Sequence, residues 1–154
     1  MRFLFWSVGK THDPLFKQSI EEFTGRIKHY HPVEWRLFPP AKAGDATTTR
    51  SRESKEVLGA LRADDFLVLL DERGKSLTSP ALAHAIEQWA NEGRKAIVFL
   101  IGGAFGVDET VRSRANMIWC LSQLIFPHQL VRVILAEQVY RACTISRNEK
   151  YHHH

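Results

Sequence analysis

Five short apolar runs, each separated from the next by a segment of helical periodicity, constrain this chain more than any other feature of its sequence. Arg2–Val8 is aromatic and apolar and stops at Gly9, and Val33–Phe38 alternates apolar with polar residues. Phe66–Leu70, Ala96–Ile101 and Met117–Leu121 are apolar throughout. Runs of this length, rich in Val, Ile and Phe and bounded by turn residues, read as strands. Between the first two, Asp13-Pro14 offers an N-cap followed by proline in the first helical position. Phe16, Ile20, Phe23, Ile27 and Tyr30 then recur at helical spacing until His31-Pro32 stops them. A charged helix is expected near Arg50–Arg62. Another runs from Ser79-Pro80 to Gly93 with Leu82, Ile86 and Trp89 inward, and a short one from Asp108 to about Asn116. Strand–helix alternation of this kind predicts an α/β fold on a mainly parallel sheet with flanking helices, the alternating second strand lying at an edge.

Two segments depart from that rhythm. Pro39-Pro40 opens a loop through Ala41–Thr49, either a surface connection or a functional loop, since structureless stretches this long are uncommon in compact domains. The last helix, Gln129–Cys143, is apolar on nearly every side through Leu130, Val131, Val133, Ile134, Leu135, Ala136, Val139 and Tyr140. A helix with so narrow a polar stripe must be covered all round. In a chain of 154 residues a second copy is the economical cover.

A chain of this length forms one domain, residues 1–154, whose core needs no metal or disulfide, and no repeat or linker divides it. No apolar run approaches the ~18 residues of a membrane span. The N-terminal apolar stretch is also too short for a signal peptide. Cys120 and Cys143 have neither metal-ligand nor redox spacing, so a reducing cytoplasm is the expected compartment. The formal net charge of +4 favours polyanionic partners such as RNA.

Glycine-rich turns after strands are candidates for holding a phosphate or a cofactor. Gly102-Gly103-Ala104-Phe105-Gly106 does not have the G-x-G-x-x-G spacing, and Gly74-Lys75-Ser76 lacks the upstream glycine of a P-loop, where Leu69 stands. The Gly102-Gly103 pair is either a plain tight turn or a place where bare backbone approaches a ligand. Favouring the ligand, Leu121-Ser122-Gln123-Leu124-Ile125-Phe126-Pro127-His128 follows soon after as an apolar loop, unlike a solvated connection. Two strand ends of this kind enclose a flat heterocycle through backbone hydrogen bonds. Glu137 and Arg141 stand four apart in the favourable order for a helix ion pair. Arg132 falls on the apolar helix, where an unpaired charge is costly, so it either binds a phosphate or carboxylate or is satisfied in the core. His128 is a candidate proton acceptor or a structural loop histidine.

Four motifs in order carry a resemblance. Leu100–Gly106, Phe126–Val133, Leu135–Ala142 and the tail Tyr151-His152 closely resemble the RlmH family, and Val8-Gly9-Lys10 and Leu70-Asp71-x-x-Gly74-Lys75 also match. That family consists of SPOUT-class methyltransferases acting on N3 of a pseudouridine in large-subunit ribosomal RNA. The resemblance implies a C-terminal trefoil knot, S-adenosylmethionine (S-adenosyl-L-methionine) as cofactor, a homodimer, ribosomal RNA within the ribosome as partner, and no role for a metal or a membrane. Carried over by position, it implies cofactor contacts from Leu70, Gly102, Gly103, Leu121, Ser122, Gln123, Leu124, Ile125 and Phe126. It also implies that Tyr151 and His152 complete the site across the dimer, and with Arg132 they are the candidate catalytic residues. His152-His153-His154 resembles the remnant of an affinity tag, although the family pattern makes His152 native. The alternatives are a non-catalytic ribosome-assembly protein that keeps the fold, and a nucleotide hydrolase built on Gly74-Lys75-Ser76.

Overall fold

The structure, a computed structural model, describes residues 1–42 and 44–153; the tag remnant suspected at His154 lies outside them. Ten elements alternate: β1 (Arg2–Val8), α1 (Pro14–Ile27), β2 (Val33–Phe38), α2 (Ala46–Ala60), β3 (Phe66–Ser76), α3 (Ser79–Asn91), β4 (Ala96–Ile101), α4 (Glu109–Arg114), β5 (Met117–Cys120) and α5 (His128–Ser146). The strands form one sheet in the order β2-β1-β4-β3-β5, and every pairing is parallel. The α/β expectation therefore holds, with the alternating β2 at an edge. No helix among the described residues is long and apolar enough to cross a membrane.

Side chains alternate across the pleat and feed two cores. Phe3, Phe5, Val68, Ile97 and Phe99 pack beneath α1, α3 and α5, while Leu4, Trp6, Leu67, Leu69, Val98 and Leu100 pack beneath α2 and α4. The central strand β4 is buried on both faces along its whole length, which accounts for its unbroken apolar sequence. Each fully buried side chain of this kind contributes about 1.5–3 kcal/mol.

Helix starts follow from local chemistry. The Asp13 carboxylate accepts the Leu15 N–H at 2.8 Å and caps α1. The Asp108 carboxylate caps α4 by accepting from Val111. The helix expected near Arg50–Arg62 begins earlier, because Asp45 accepts the Thr48 N–H at 2.7 Å and draws Thr47–Thr49 into the first turn. The long loop through Ala41–Thr49 is shortened accordingly. The cap of α3 is Thr78, which accepts the Ala81 N–H at 3.1 Å, and not Ser79, whose hydroxyl donates to Gln138 Oε1 at 2.7 Å.

The largest departure is in β3. Asp71-Glu72-Arg73-Gly74-Lys75 does not end the strand; it bulges, and the chain resumes pairing at Lys75–Trp119 and Ser76–Cys120. A Cβ on Gly74 would lie 2.5 Å from the Ile118 carbonyl oxygen, so glycine is what allows β3 and β5 to approach. Gly74-Lys75-Ser76 thus lies along a paired strand and does not wrap a helix N-terminus as a phosphate-cradling loop does, which removes the geometric basis for a nucleotide hydrolase.

Gly74→Ala is expected to force β3 and β5 apart and to cost about 1–3 kcal/mol of stability. Urea denaturation followed by tryptophan fluorescence measures it, and an unchanged midpoint would contradict this account of the bulge.

Candidate functional site

In a parallel sheet the chain leaves every strand at one edge, and loops gather there. The bulge of β3 and the carboxyl ends of β4 and β5 line a cavity of about 440 Å³, a size suited to a cofactor-sized ligand. Of the residues implied to touch a cofactor, Leu70, Gly102, Gly103, Leu121, Ser122, Leu124, Ile125 and Phe126 all line it. Gln123 is exposed and does not.

One wall is the turn after β4. The Gly106 N–H donates to the Gly103 carbonyl at 3.0 Å, closing a tight bend with Phe105 half-exposed at its tip. A Cβ on Gly103 would stand 2.6 Å from Glu53 Oε1, so a larger residue here would have to displace the Glu53 carboxylate. The opposite wall is the 121–127 loop, pinned where Ser122 Oγ accepts the Leu124 N–H at 3.0 Å. Leu124 and Ile125 are 71% and 84% exposed, an apolar rim at the mouth of the cavity.

The floor is charged but paired. Asp71 and Arg112 form an ion pair, and the Arg73 N–H donates to Asp71 Oδ1 at 2.9 Å. Burial opposes ionisation of Asp71, yet the Arg73 amide and the Arg112 guanidinium outweigh it and hold the carboxyl below its ordinary range. His128, at the first position of α5, also lines the cavity. Burial foremost, then the charge of Arg132, pushes its pKa below 6.5 against the opposing pull of Glu53. Among the described residues no three His, Cys, Asp or Glu side chains gather as metal ligands would.

The candidate catalytic residues lie outside this cavity in the single chain. Arg132 is 1% exposed and makes no ion pair among the described residues. Its Nε donates to Ser7 Oγ at 3.0 Å, and its Nη1 lies 3.2 Å from His12 Nδ1 and 3.3 Å from Gln129 Oε1. The guanidinium is therefore satisfied by neutral groups at the carboxyl end of β1. The tail folds back on α5. Tyr151 donates to Glu137 Oε1 at 3.0 Å, His152 Nδ1 lies 3.2 Å from Arg141 Nη1, and the Arg141 guanidinium stacks over the Tyr151 ring at 4.7 Å. The expected Glu137–Arg141 ion pair anchors the cluster, with Nη2 and Oε1 2.5 Å apart.

Two features had escaped the sequence. Asp71 and Arg112 are 41 residues apart and carry no local signal. Glu53 did carry one: Thr49, Glu53 and Val57 recur every fourth residue and are all buried, so a carboxylate sits on the inward stripe of α2.

His12, His31 and His128 all have pKa values lowered below 6.5, each chiefly by burial. Below pH 6.5 the unfolded chain takes up these protons before the folded one, so stability should fall as the pH drops from about 6.5. The slope is at most about 1.4 kcal/mol per pH unit for each histidine. Denaturation midpoints at pH 7.5 and 5.5 test this, and equal midpoints would refute it.

Comparison with known proteins identifies the family. A family model described as "Predicted SPOUT methyltransferase" matches residues 1–152. The chain is 43% identical over 150 residues to the Ribosomal RNA large subunit methyltransferase H of Trichlorobacter lovleyi, covering 97% of both chains. It is 43% identical to the protein of that name from Geobacter metallireducens over the same coverage. To that of Cytophaga hutchinsonii it is 38% identical, covering 99% of this chain and 100% of the relative.

Proposed function

The chain belongs to the RlmH group of the SPOUT methyltransferase family, and from that membership we propose that it methylates large-subunit ribosomal RNA, taking the methyl group from S-adenosylmethionine and delivering it to N3 of a pseudouridine. The observation that carries this is the cavity between the β3 bulge and the ends of β4 and β5, where bare glycine backbone faces an apolar loop. Those features fit a flat heterocycle held by backbone hydrogen bonds between apolar surfaces. The family's trefoil knot belongs to the same proposal.

S-adenosylmethionine supplies an activated methyl group, so that a C–N bond forms at N3 as the C–S bond breaks and its electron pair returns to sulfur. The chain's own residues have to align the two reactants and manage one proton. Gly102, Gly103 and Leu70 would hold the donor from the sheet side, and Leu121, Ser122, Leu124, Ile125 and Phe126 would flank it from the loop. Holding nitrogen and methyl in line at ~3–3.5 Å accounts for roughly 7–11 kcal/mol of the barrier. The N3 proton must leave as the bond forms. His128 lines the cavity and its lowered pKa keeps the ring neutral near pH 7, able to accept a proton. Arg132, fixed at the end of β1 by Ser7, places a positive charge whose field favours an imide anion.

A second copy completes the arrangement. Leu130, Val133 and Ile134 on α5 are only partly buried in the single chain, an apolar face of the kind that pairs isologously. The tail with Tyr151 and His152, docked on α5 here, then serves the site across the dimer. In the same reading the target is recognised by shape and charge in the assembled ribosome.

Labelled methyl from S-adenosylmethionine should appear at N3 of a pseudouridine when the chain meets ribosomes lacking that modification, and not with naked rRNA. Absence of label with cofactor binding intact would leave the assembly-protein alternative. Ile134→Asp should convert a dimer to a chain of 17.7 kDa by sedimentation and abolish transfer; a wild-type monomer would refute the shared site.

A further inference from the structure

Glu53 is a carboxylate 6% exposed inside the α2 face. Its Oε2 accepts the Ala41 N–H at 3.0 Å, whereas its Oε1 is buried without a hydrogen-bond partner among the described residues. No ion pair reaches it among those residues. The other carboxylates at the cavity differ: Asp71 is answered by Arg112 and Arg73, and Glu72 is exposed to water. A buried carboxylate oxygen left in this condition is costly unless something positive comes to it.

What lies in front of Glu53 is the cavity. Oε1 would be 2.6 Å from a Cβ on Gly103, and Gly103 lines the cavity, so a single thickness of backbone separates the carboxylate from a bound ligand. Its negative charge is also felt by His128 on the same cavity, where it favours the protonated ring.

We propose that Glu53 is the counter-charge for the sulfonium of the methyl donor, so that the cavity prefers the cationic donor to its neutral thioether product. The proposal rests on S-adenosylmethionine being the donor. Donor and product differ by one methyl group and one positive charge, and a carboxylate behind a water-excluding wall discriminates by the charge. The attraction is strongest before transfer and fades as the sulfur becomes neutral. Glu53 therefore tightens donor binding, leaves the affinity for the neutral product nearly unchanged, and does not lower the barrier of the chemical step.

Glu53→Gln keeps the shape and an acceptor for the Ala41 N–H while removing the charge. By isothermal titration calorimetry the variant should bind S-adenosylmethionine about 10-fold more weakly than the wild type and S-adenosylhomocysteine less than about 2-fold more weakly. In turnover, KM for the donor should rise while kcat holds or increases. Equal weakening of both ligands would overturn the proposal and leave Glu53 a prop for the Gly103 turn, with the donor's identity intact. The wild type gives a test that does not depend on the variant folding. Sinefungin, which carries an ammonium-bearing carbon in place of the sulfonium, should bind about 10-fold more tightly than S-adenosylhomocysteine; equal or weaker binding would overturn the counter-charge. Failure of the wild type to bind any of the three would instead remove the donor assignment, and the inference with it.

Discussion

The cavity hangs from the parallel pairing of β4 with β1 on one side and β3 on the other. Ala96–Ile101 is hydrogen-bonded along both edges and buried on both faces, so its position is determined by four neighbours at once. A strand held this firmly delivers its last residue, and the Gly102-Gly103 turn after it, to a defined place. The pairing of β3 with β5 adds the second wall, because it brings the 121–127 loop alongside that turn. Parallel geometry does the rest: with every strand running the same way, all carboxyl ends open on one side, and ligand-binding loops collect there.

Around this frame the chain buries an unusual set of polar groups, and each has a structural consequence. Ser7 is fully buried on β1 and accepts from Arg132, which ties α5 to the sheet through a satisfied guanidinium. Arg141, Glu137, Tyr151 and His152 make a second cluster that docks the tail on the same helix. Burial foremost, then the bond to Glu137, raises the pKa of Tyr151 and keeps the phenol protonated as a donor. Glu53 stands apart because its Oε1 faces the Gly103 turn without a donor among the described residues, and a side chain at position 103 would displace it. The same helix α5 thus holds the end of β1 through Arg132 and the tail through Glu137 and Arg141.

Much of the fold was legible because its signals are local. β1, β2 and β4 occupy the ranges their apolar runs suggested, and α1 and α4 start at the aspartates expected to cap them. The misreadings share a cause. Asp45 was passed over because the threonines after it look like a loop, although an N-cap acts through its neighbours' N–H groups and not through their side chains. β3 was ended at Leu70 because Asp71–Lys75 reads as a turn, and only a partner strand can hold such residues extended. The cavity residues were legible through glycine and apolar-loop chemistry together with the family resemblance. Gln123 alone of the Leu121–Phe126 stretch does not line the cavity.

What the sequence determined by itself was the set of elements, their alternation, and therefore a parallel sheet with a ligand edge, since periodicity and capping act over a few residues. The tertiary structure alone decided which polar groups distant in sequence answer one another, whereas the Glu137–Arg141 pair was already local. Asp71 meets Arg112, Arg132 meets Ser7 and His12, and the Gly103 turn meets Glu53 across fifty residues of chain. Such pairings depend on strand order and helix placement, which no short segment encodes, because the energy that selects them arises only when distant surfaces are brought out of water together.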